Sequence, residues 1–434
     1  MTPRNMARLG GLALSTLLMA GVAAPAFAGS FYLQEQSARG MGRANSGETA
    51  SKGVEALWWN PAAIARSGRQ ITGSLHAIRV DSEARNAGSY VTYTNPTTGQ
   101  RYDVPVLNAR QTENNPVENG LVPNFAIAMP VGERMAVGLA VAAPYNFTTK
   151  YENSFARYDA ATSELRSADV SLNLAYQVND WLDVGAGVSA QYAKAKLTSA
   201  MPGFAPTFAD GTSSLEGDGI DFGWNVGAQV HKGRWDLGLS YRSAVEHELD
   251  GDINVQLTGP LAPNSVAKDG TAAFNTPWFA SASVRYAATD RLTLNAQVNR
   301  IGWGEFDAIR VSYTGGGDII HQNYEDVTTG AIGLDYALSN KTTLRAGVAY
   351  DPTPTTDALR TARIPDSDRT LFSVGASTEV KPGVQFDAGL TYVAMGESSM
   401  HDDRSFYNGL VTSHLRGDVE GSSLILSMGT TIKF

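Results

Sequence analysis

The chain has 434 residues, no cysteine, 44 glycines and only 18% charged side chains. Its formal net charge of −9 excludes the basic face that a nucleic-acid binder needs to neutralise phosphates. The length would suit two or three soluble domains, but one pattern runs through nearly all of it.

Residues 1–28 read as a secretory signal peptide. Arg4 and Arg8 form a basic start, "LGGLALSTLLMAGVAA" an apolar middle, and "AFA" at 26–28 a small-residue cleavage site. The mature chain is expected to begin at Gly29; an uncleaved anchor is the alternative, disfavoured by that small-residue end. No later stretch has the ~20 apolar residues of a membrane helix. Lack of cysteine is compatible with an oxidising compartment.

Residues 29–68 show no alternation. They mix glycines with apolar clusters, have short helical tendencies at 33–39 and 61–66, and include "WWNPAAI" at 58–64.

From residue 69 the chain alternates. In "LDVGAGVSAQY" Leu182, Val184, Ala186, Val188, Ala190 and Tyr192 take one face, and Asp183, Gly185, Gly187, Ser189 and Gln191 the other. "VQFDAGLTY" from Val384 repeats the scheme. Alternation marks strands with one apolar and one polar face. A soluble sandwich would alternate too; the connections decide. Tight turns at 132–134, 179–180, 231–234, 289–290, 339–340 and 381–383 take turns with long links near 82–118, 145–165, 200–217, 254–272, 314–322, 352–368 and 396–420. Short turns at one end and long loops at the other describe a transmembrane antiparallel β-barrel of about 14 strands over 69–434, in the outer membrane of a Gram-negative cell. The last strand, "SLILSMGTTIKF", aligns Leu424, Leu426, Met428, Ile432 and Phe434 and ends on an aromatic, like barrels inserted by the outer-membrane assembly machinery.

A barrel of about fourteen strands has a lumen wider than its own side chains fill. Residues 29–68 are therefore expected to plug it as an N-terminal hatch. Asn60 and Pro61 would turn the chain, Ala62 would allow close backbone approach, and Trp58, Trp59 and Ile64 would pack on the lumen wall.

The run "RGMGRANSGETA…WWNPAAI" resembles the hatch of the FadL family of outer-membrane long-chain fatty acid transporters, whose hatch carries Asn-Pro-Ala. "FGWNVG" at 222–227, "LSYRSAVEHELDG" at 239–251 and "IPDSDR" at 364–369 extend the similarity over essentially the whole mature chain. The resemblance implies a fourteen-stranded barrel with a hatch, outer loops that catch hydrophobic ligand, and lateral exit through a kinked third strand.

Pro144 cannot donate to a ladder and is excluded from a central strand except at a bulge or gap. Either the strand ends at Ala143 or the wall is interrupted there; the resemblance favours the interruption, lined by Tyr145, Asn146 and Phe147. Asn146 stands where family members often carry glycine. Two outer loops are unusually apolar, with Met201, Phe204 and Phe208 in one and Leu257, Leu261 and Val266 in the other, and the resemblance makes them the entry groove. Arg242 and Arg345, inward by parity, and Arg363 and Arg369, flanking "IPDSDR", are candidate partners for a ligand carboxylate. Lys194 and Lys196 fall on the apolar parity of their strand, which puts them above the membrane or past a bulge.

Enzyme readings find no support. Gly40, Gly42 and Gly47 lack the strand and Lys-Ser/Thr of a phosphate loop, the histidines are not spaced for zinc, and no Ser/His/Asp grouping stands out. No metal or cofactor is expected. The expected function is passive uptake of hydrophobic small molecules, most favourably fatty acids, by a monomer surrounded by outer-membrane lipid. The alternatives are uptake of aromatic hydrocarbons by the same route, a general porin, or an enzyme active at the rim.

Overall fold

The computed structural model describes residues 30–434; the expected leader and its cleavage site before Gly29 lie outside the described residues. No helix among the described residues is long and apolar enough to cross a membrane. Crossing is by strands.

The wall begins with β1 (Gln70–Asn86), β2 (Gly120–Val131), β3 (Met135–Ala142 and Asn146–Lys150), β4 (Thr162–Gln177) and β5 (Leu182–Met201). It continues with β6 (Gly211–Lys232), β7 (Trp235–Arg242 and Val245–Gln256), β8 (Val266–Thr276 and Trp278–Ala287), β9 (Leu292–Gly302 and Ala308–Tyr313) and β10 (Gly316–His321 and Val327–Ala337). It ends with β11 (Thr342–Asp351), β12 (Arg369–Lys381), β13 (Val384–Met395 and Ser398–Phe406) and β14 (Val411–Lys433). Each strand pairs antiparallel with the next, and β14 pairs back onto β1 from Gln70↔Lys433 to Asn86↔Gly417. The result is a closed 14-stranded antiparallel barrel with no free edge.

The short turns form for local reasons. Gly132, Gly233 and Gly383 supply backbone φ of 69°, 60° and 76°. In the other three, Asn179, Thr289 and Ser339 accept through their side chains from the backbone N–H groups two and three residues on.

The polar side of the alternation faces inward only in the lower, periplasmic half. On β5, Asp183, Ser189 and Gln191 are buried inside while Val184 and Val188 are exposed outside. Further up, Ala193 and Leu197 are the buried inward residues, and Lys194 and Lys196 point outward against Glu216 at 2.9 and 3.5 Å. The β5–β6 ladder runs without a register shift from Gly211↔Met201 to Val230↔Leu182, so the environment inverts and no bulge is involved. β7 does the same, burying Leu249 and Ile253 inward with Glu248, Asp250 and Asp252 exposed. The wall thus rises beyond the hydrocarbon layer, where water wets its outside and its apolar residues turn in. Several links expected as loops are strand for this reason: β9 and β10 meet in a tight turn at 313–316, and β13 extends to Phe406 before β14 starts at Val411.

Residues 30–66 lie inside the barrel and are nearly all buried. Arg43 reaches Asp335 on β10 at 3.0 Å and Ser51 at 2.7 Å, and also pairs with Glu48. Asp335 additionally faces Arg285 at 3.0 Å and Arg345 at 2.6 Å.

Candidate functional site

The wall is interrupted where Pro144 sits. The β2–β3 ladder runs from Val131↔Met135 to Phe125↔Val141 and stops. It resumes only at the Val117↔Thr149 bridge, with Glu118 N–H on the Thr148 carbonyl at 3.1 Å. Between these points Asn119–Asn124 and Ala142–Phe147 are not paired with each other. On its other side β3 stays attached to β4, first as Ala142↔Asp169 and then as Asn146↔Arg166. Three residues of β3 therefore span two of β4, which bulges the chain inward. Side chains carry the ladder across the bulge: Asn146 Oδ1 accepts from Ser167 N–H at 3.1 Å, and Tyr145 N–H donates to Ser167 Oγ at 2.9 Å. Pro144, Tyr145, Asn146 and Phe147 are all buried.

The inward edge of the bulge pairs with the N-terminal segment. Tyr32 bridges Tyr145 antiparallel, Leu33 N–H donates to the Pro144 carbonyl at 2.7 Å, and Asn146 N–H donates to the Phe31 carbonyl at 3.2 Å. Phe31 also packs edge-on against Trp303 and Phe306, with ring centroids at 4.8 and 5.0 Å. Those two rings come from a 3-10 turn, Trp303–Glu305, and from its C-cap Phe306, inserted between the halves of β9.

Two cavities meet at this segment. The upper one is a narrow chamber. It is lined by Phe31 and Phe147 below and by Leu165, Leu197, Leu249 and Phe274 from the inverted upper strands, with Gln322 and Arg363 among its few polar residues. The lower one lies between Gln36, Ser37 and Trp58 on one side and Asn124, Phe125 and Ala140–Ala142 on the other. It opens against the last paired rung before the break. Phe31–Gln36 runs from the floor of the first cavity to the wall of the second.

Of the four arginines considered from sequence, Arg363 alone lines the upper cavity. It is 4% exposed, its Nη1 reaches Ser163 Oγ at 3.3 Å, and its Nε has no hydrogen-bond partner among the described residues. Burial pushes its guanidinium down to about 10. Arg242 lies over the Trp58 ring at 3.8 Å and donates to the Trp58 carbonyl at 3.1 Å. Arg345 is engaged by Asp335, and Arg369 pairs with Asp366.

Asn60 is fully buried and extended (φ −156°). Its Oδ1 caps the 3-10 turn Pro61–Ile64 at Ala62 N–H, 2.9 Å. Its Nδ2 donates to the carbonyls of Thr49, Ala228 and Leu239 at 2.8, 3.1 and 3.3 Å. Glycines in the wall make room: a β-carbon at Gly227 would fall 2.1 Å from Asn60 Oδ1, and one at Gly185 would fall 2.6 Å from Ala62 N. Trp59 and Ala62 are buried beside it, and Trp58 is half-buried.

The six apolar loop residues sit at the outer rim and none lines the upper cavity. Phe204 approaches Tyr407, with ring centroids 6.0 Å apart, Phe208 lies over Gly259, and Met201 packs on the cluster of Val91, Tyr93 and Phe406. Leu257, Leu261 and Val266 are half-buried in the facing link. Apart from Phe147 and Arg363, sequence reasoning missed the upper cavity's lining. The signal was there in Lys194 and Lys196, whose outward charge turns Ala195 and Leu197 inward.

Comparison with known proteins adds the following. The model of the family described as outer membrane protein transport protein (OMPP1/FadL/TodX) matches residues 19–434. Outer membrane protein P1 of Haemophilus influenzae is 28% identical over 419 residues, covering 88% of this chain and 89% of that protein. The long-chain fatty acid transport protein of Escherichia coli K12 is 24% identical over 414 residues, covering 86% and 89%. Among solved structures, a Pseudomonas aeruginosa FadL homologue superposes with a TM-score of 0.82 at 23% identity, covering 93% of this chain and all of that one. The Pseudomonas putida toluene transporter TodX superposes with a TM-score of 0.65 at 16% identity, covering 94% and 100%. At these identities the superpositions speak for the fold.

Proposed function

The chain belongs to the outer membrane protein transport family (OMPP1/FadL/TodX), and from that premise we propose that the hydrophobic molecules it carries are long-chain fatty acids, which leave sideways through the β2–β3 break. The acyl tail enters the upper cavity and gains roughly 0.8 kcal/mol per buried CH₂. Its carboxylate meets Arg363. One observation carries the choice of ligand: a buried guanidinium whose Nε has no hydrogen-bond partner among the described residues, opening on a chamber that is apolar apart from Glu164 and Gln322. Asp159 compensates its charge only in part, and an anion on the Nε would add the missing hydrogen bond.

Passage then requires Phe31–Gln36 to release Pro144 and Tyr145, which joins the two cavities and gives the ligand a path to the unpaired rungs. The N-terminal segment acts as the hatch that keeps the pore shut to water and ions. Movement is downhill, driven by consumption of the ligand inside. Capture by the rim residues Phe204, Phe208, Leu257 and Leu261 precedes these steps.

The aromatic lining of Phe31, Phe147, Phe274 and Phe306 favours a second reading, in which the ligand is a neutral arene. Binding to the purified barrel separates the two. Arg363→Met is expected to weaken a long-chain carboxylate about tenfold or more, the worth of one charge-assisted hydrogen bond, and to leave its methyl ester and toluene unchanged. Equal loss for the acid and the ester would overturn the carboxylate assignment.

A further inference from the structure

Two open recesses lie outside the barrel, on the lipid-facing side of β6–β9. They adjoin through the row Ala228, Leu239, Ala282 and Val298. Missing side-chain volume makes them. Between Trp278 and Tyr286 the outward residues of β8 are Ala280, Ala282 and Val284, while β7 raises Leu237, Leu239 and Tyr241 on one flank and β9 raises Val298 on the other. Leu239 and Val298 are 63% and 52% exposed, so they stand as ridges beside an alanine floor.

The trough is closed by aromatic pairs at both ends. Trp235 stacks on Tyr286 at 4.2 Å at the periplasmic end, and Tyr241 stacks on Trp278 at 6.0 Å at the outer end. Aromatic residues at these two depths mark the boundaries of the hydrocarbon layer. Eight residues of strand separate the ends, roughly 27 Å at ~3.4 Å per residue, room for one extended acyl chain. Arg300 stands at the outer end, paired across from Ala280. Its Nη1 donates to Thr328 Oγ1 at 3.0 Å, and Asp326 approaches its Nη2 only to 3.7 Å because Gly304 N–H holds that carboxylate at 3.0 Å. The guanidinium is half exposed, and its backbone lies two residues to the membrane side of the Trp278↔Gly302 rung, from where a long side chain extends toward the interface.

We propose that this face is a binding groove for a phosphate-bearing membrane lipid of the outer leaflet, with one acyl chain in the β8 trough and the phosphate on Arg300. Ordinary annular contact needs neither the missing volume nor the cation; together they select a lipid by chain and charge. The groove lies several strands away from the β2–β3 break, so it is independent of the transport route.

The test compares three proteins purified from membranes in mild detergent: wild type, Arg300→Gln, and the trough-filling double variant Ala280→Leu/Ala282→Phe. Native mass spectrometry counts retained phosphate-bearing lipids, and heat-dependent gel mobility confirms folding. Wild type is expected to retain one such lipid. Arg300→Gln should lower retention at least fivefold, the filled trough should abolish it, and fatty acid binding should be equal in all three. Equal retention in all three overturns the proposal, as does a wild-type dimer that the filled trough converts to a monomer, since a second copy would then be the occupant.

Discussion

Glu35 has a role that no sequence pattern announces. It sits in the N-terminal segment, 1% exposed, and its backbone carbonyl accepts from Asn124 on β2 at 2.6 Å. Burial raises its carboxyl from 4.5 to about 7, with Arg369 acting the other way. A carboxyl whose pKa is raised on docking binds a proton when it docks. Docking is therefore fully favoured below about pH 4.5 and weakens as pH rises through about 7. Protection of the backbone amides at 31–36, taken relative to the intrinsic exchange rate at each pH, should be higher at pH 5.5 than at pH 8, and Glu35→Gln should remove the difference. If the variant keeps the same pH dependence, another group is responsible. Asn60 makes a different kind of contribution, joining a cap to three carbonyls of the wall and the N-terminal segment. Asn60→Ala removes the cap and the donor shared by these carbonyls, although Gln229 Nε2 still reaches the Thr49 carbonyl at 2.9 Å, at a cost on the order of a few kcal/mol. Limited proteolysis of the N-terminal segment should speed up while the barrel stays intact.

At the level of elements, β3 is where a broken rule becomes a device. Pro144 cannot serve a ladder, and the chain answers by handing its inward edge to Phe31–Leu33. The absence of native cysteine makes this pairing easy to lock. Tyr32 and Tyr145 face each other in an antiparallel bridge, a separation a disulfide can span. Tyr32→Cys/Tyr145→Cys should lose uptake when oxidised and regain it on reduction; uptake unaffected by oxidation would mean the segment need not move. The interruption was readable from Pro144, but the partner was not, because "SFYL" is too short to show a period. Alternation read the strands well wherever water filled one side and hydrocarbon covered the other. It failed above the membrane, where the two environments exchange places and the same strand changes its pattern at Ala193. The cavity lining is therefore the part of the site least visible in the chain, and the Asn60–Pro61 turn the most.

For the whole molecule, a wide barrel must be stable with a charged core. Asp335 is the hub: Arg43 from the N-terminal segment, Arg285 from β8 and Arg345 from β11 converge on it, and Asn295 on β9 donates to it at 2.8 Å. The acid ties the N-terminal segment to four consecutive strands, and wall glycines bring the backbones close enough for that: a β-carbon at Gly347 would fall 2.2 Å from the Arg43 carbonyl. Removing one partner of a buried ion cluster typically costs 3–5 kcal/mol, because the remaining charges stay buried without compensation. In Asp335→Asn three guanidiniums repel inside a lumen whose wall is held independently by a closed ladder. The barrel should therefore remain folded while the plug loosens. Planar-bilayer recordings should show flickering ion conductance that wild type lacks, and heat should release the N-terminal segment to protease before the strands melt. Arg345→Gln added to Asp335→Asn removes one of the stranded charges and should restore part of the seal. Conductance as low as wild type in Asp335→Asn would show that backbone fit at the glycines holds the plug without the ions.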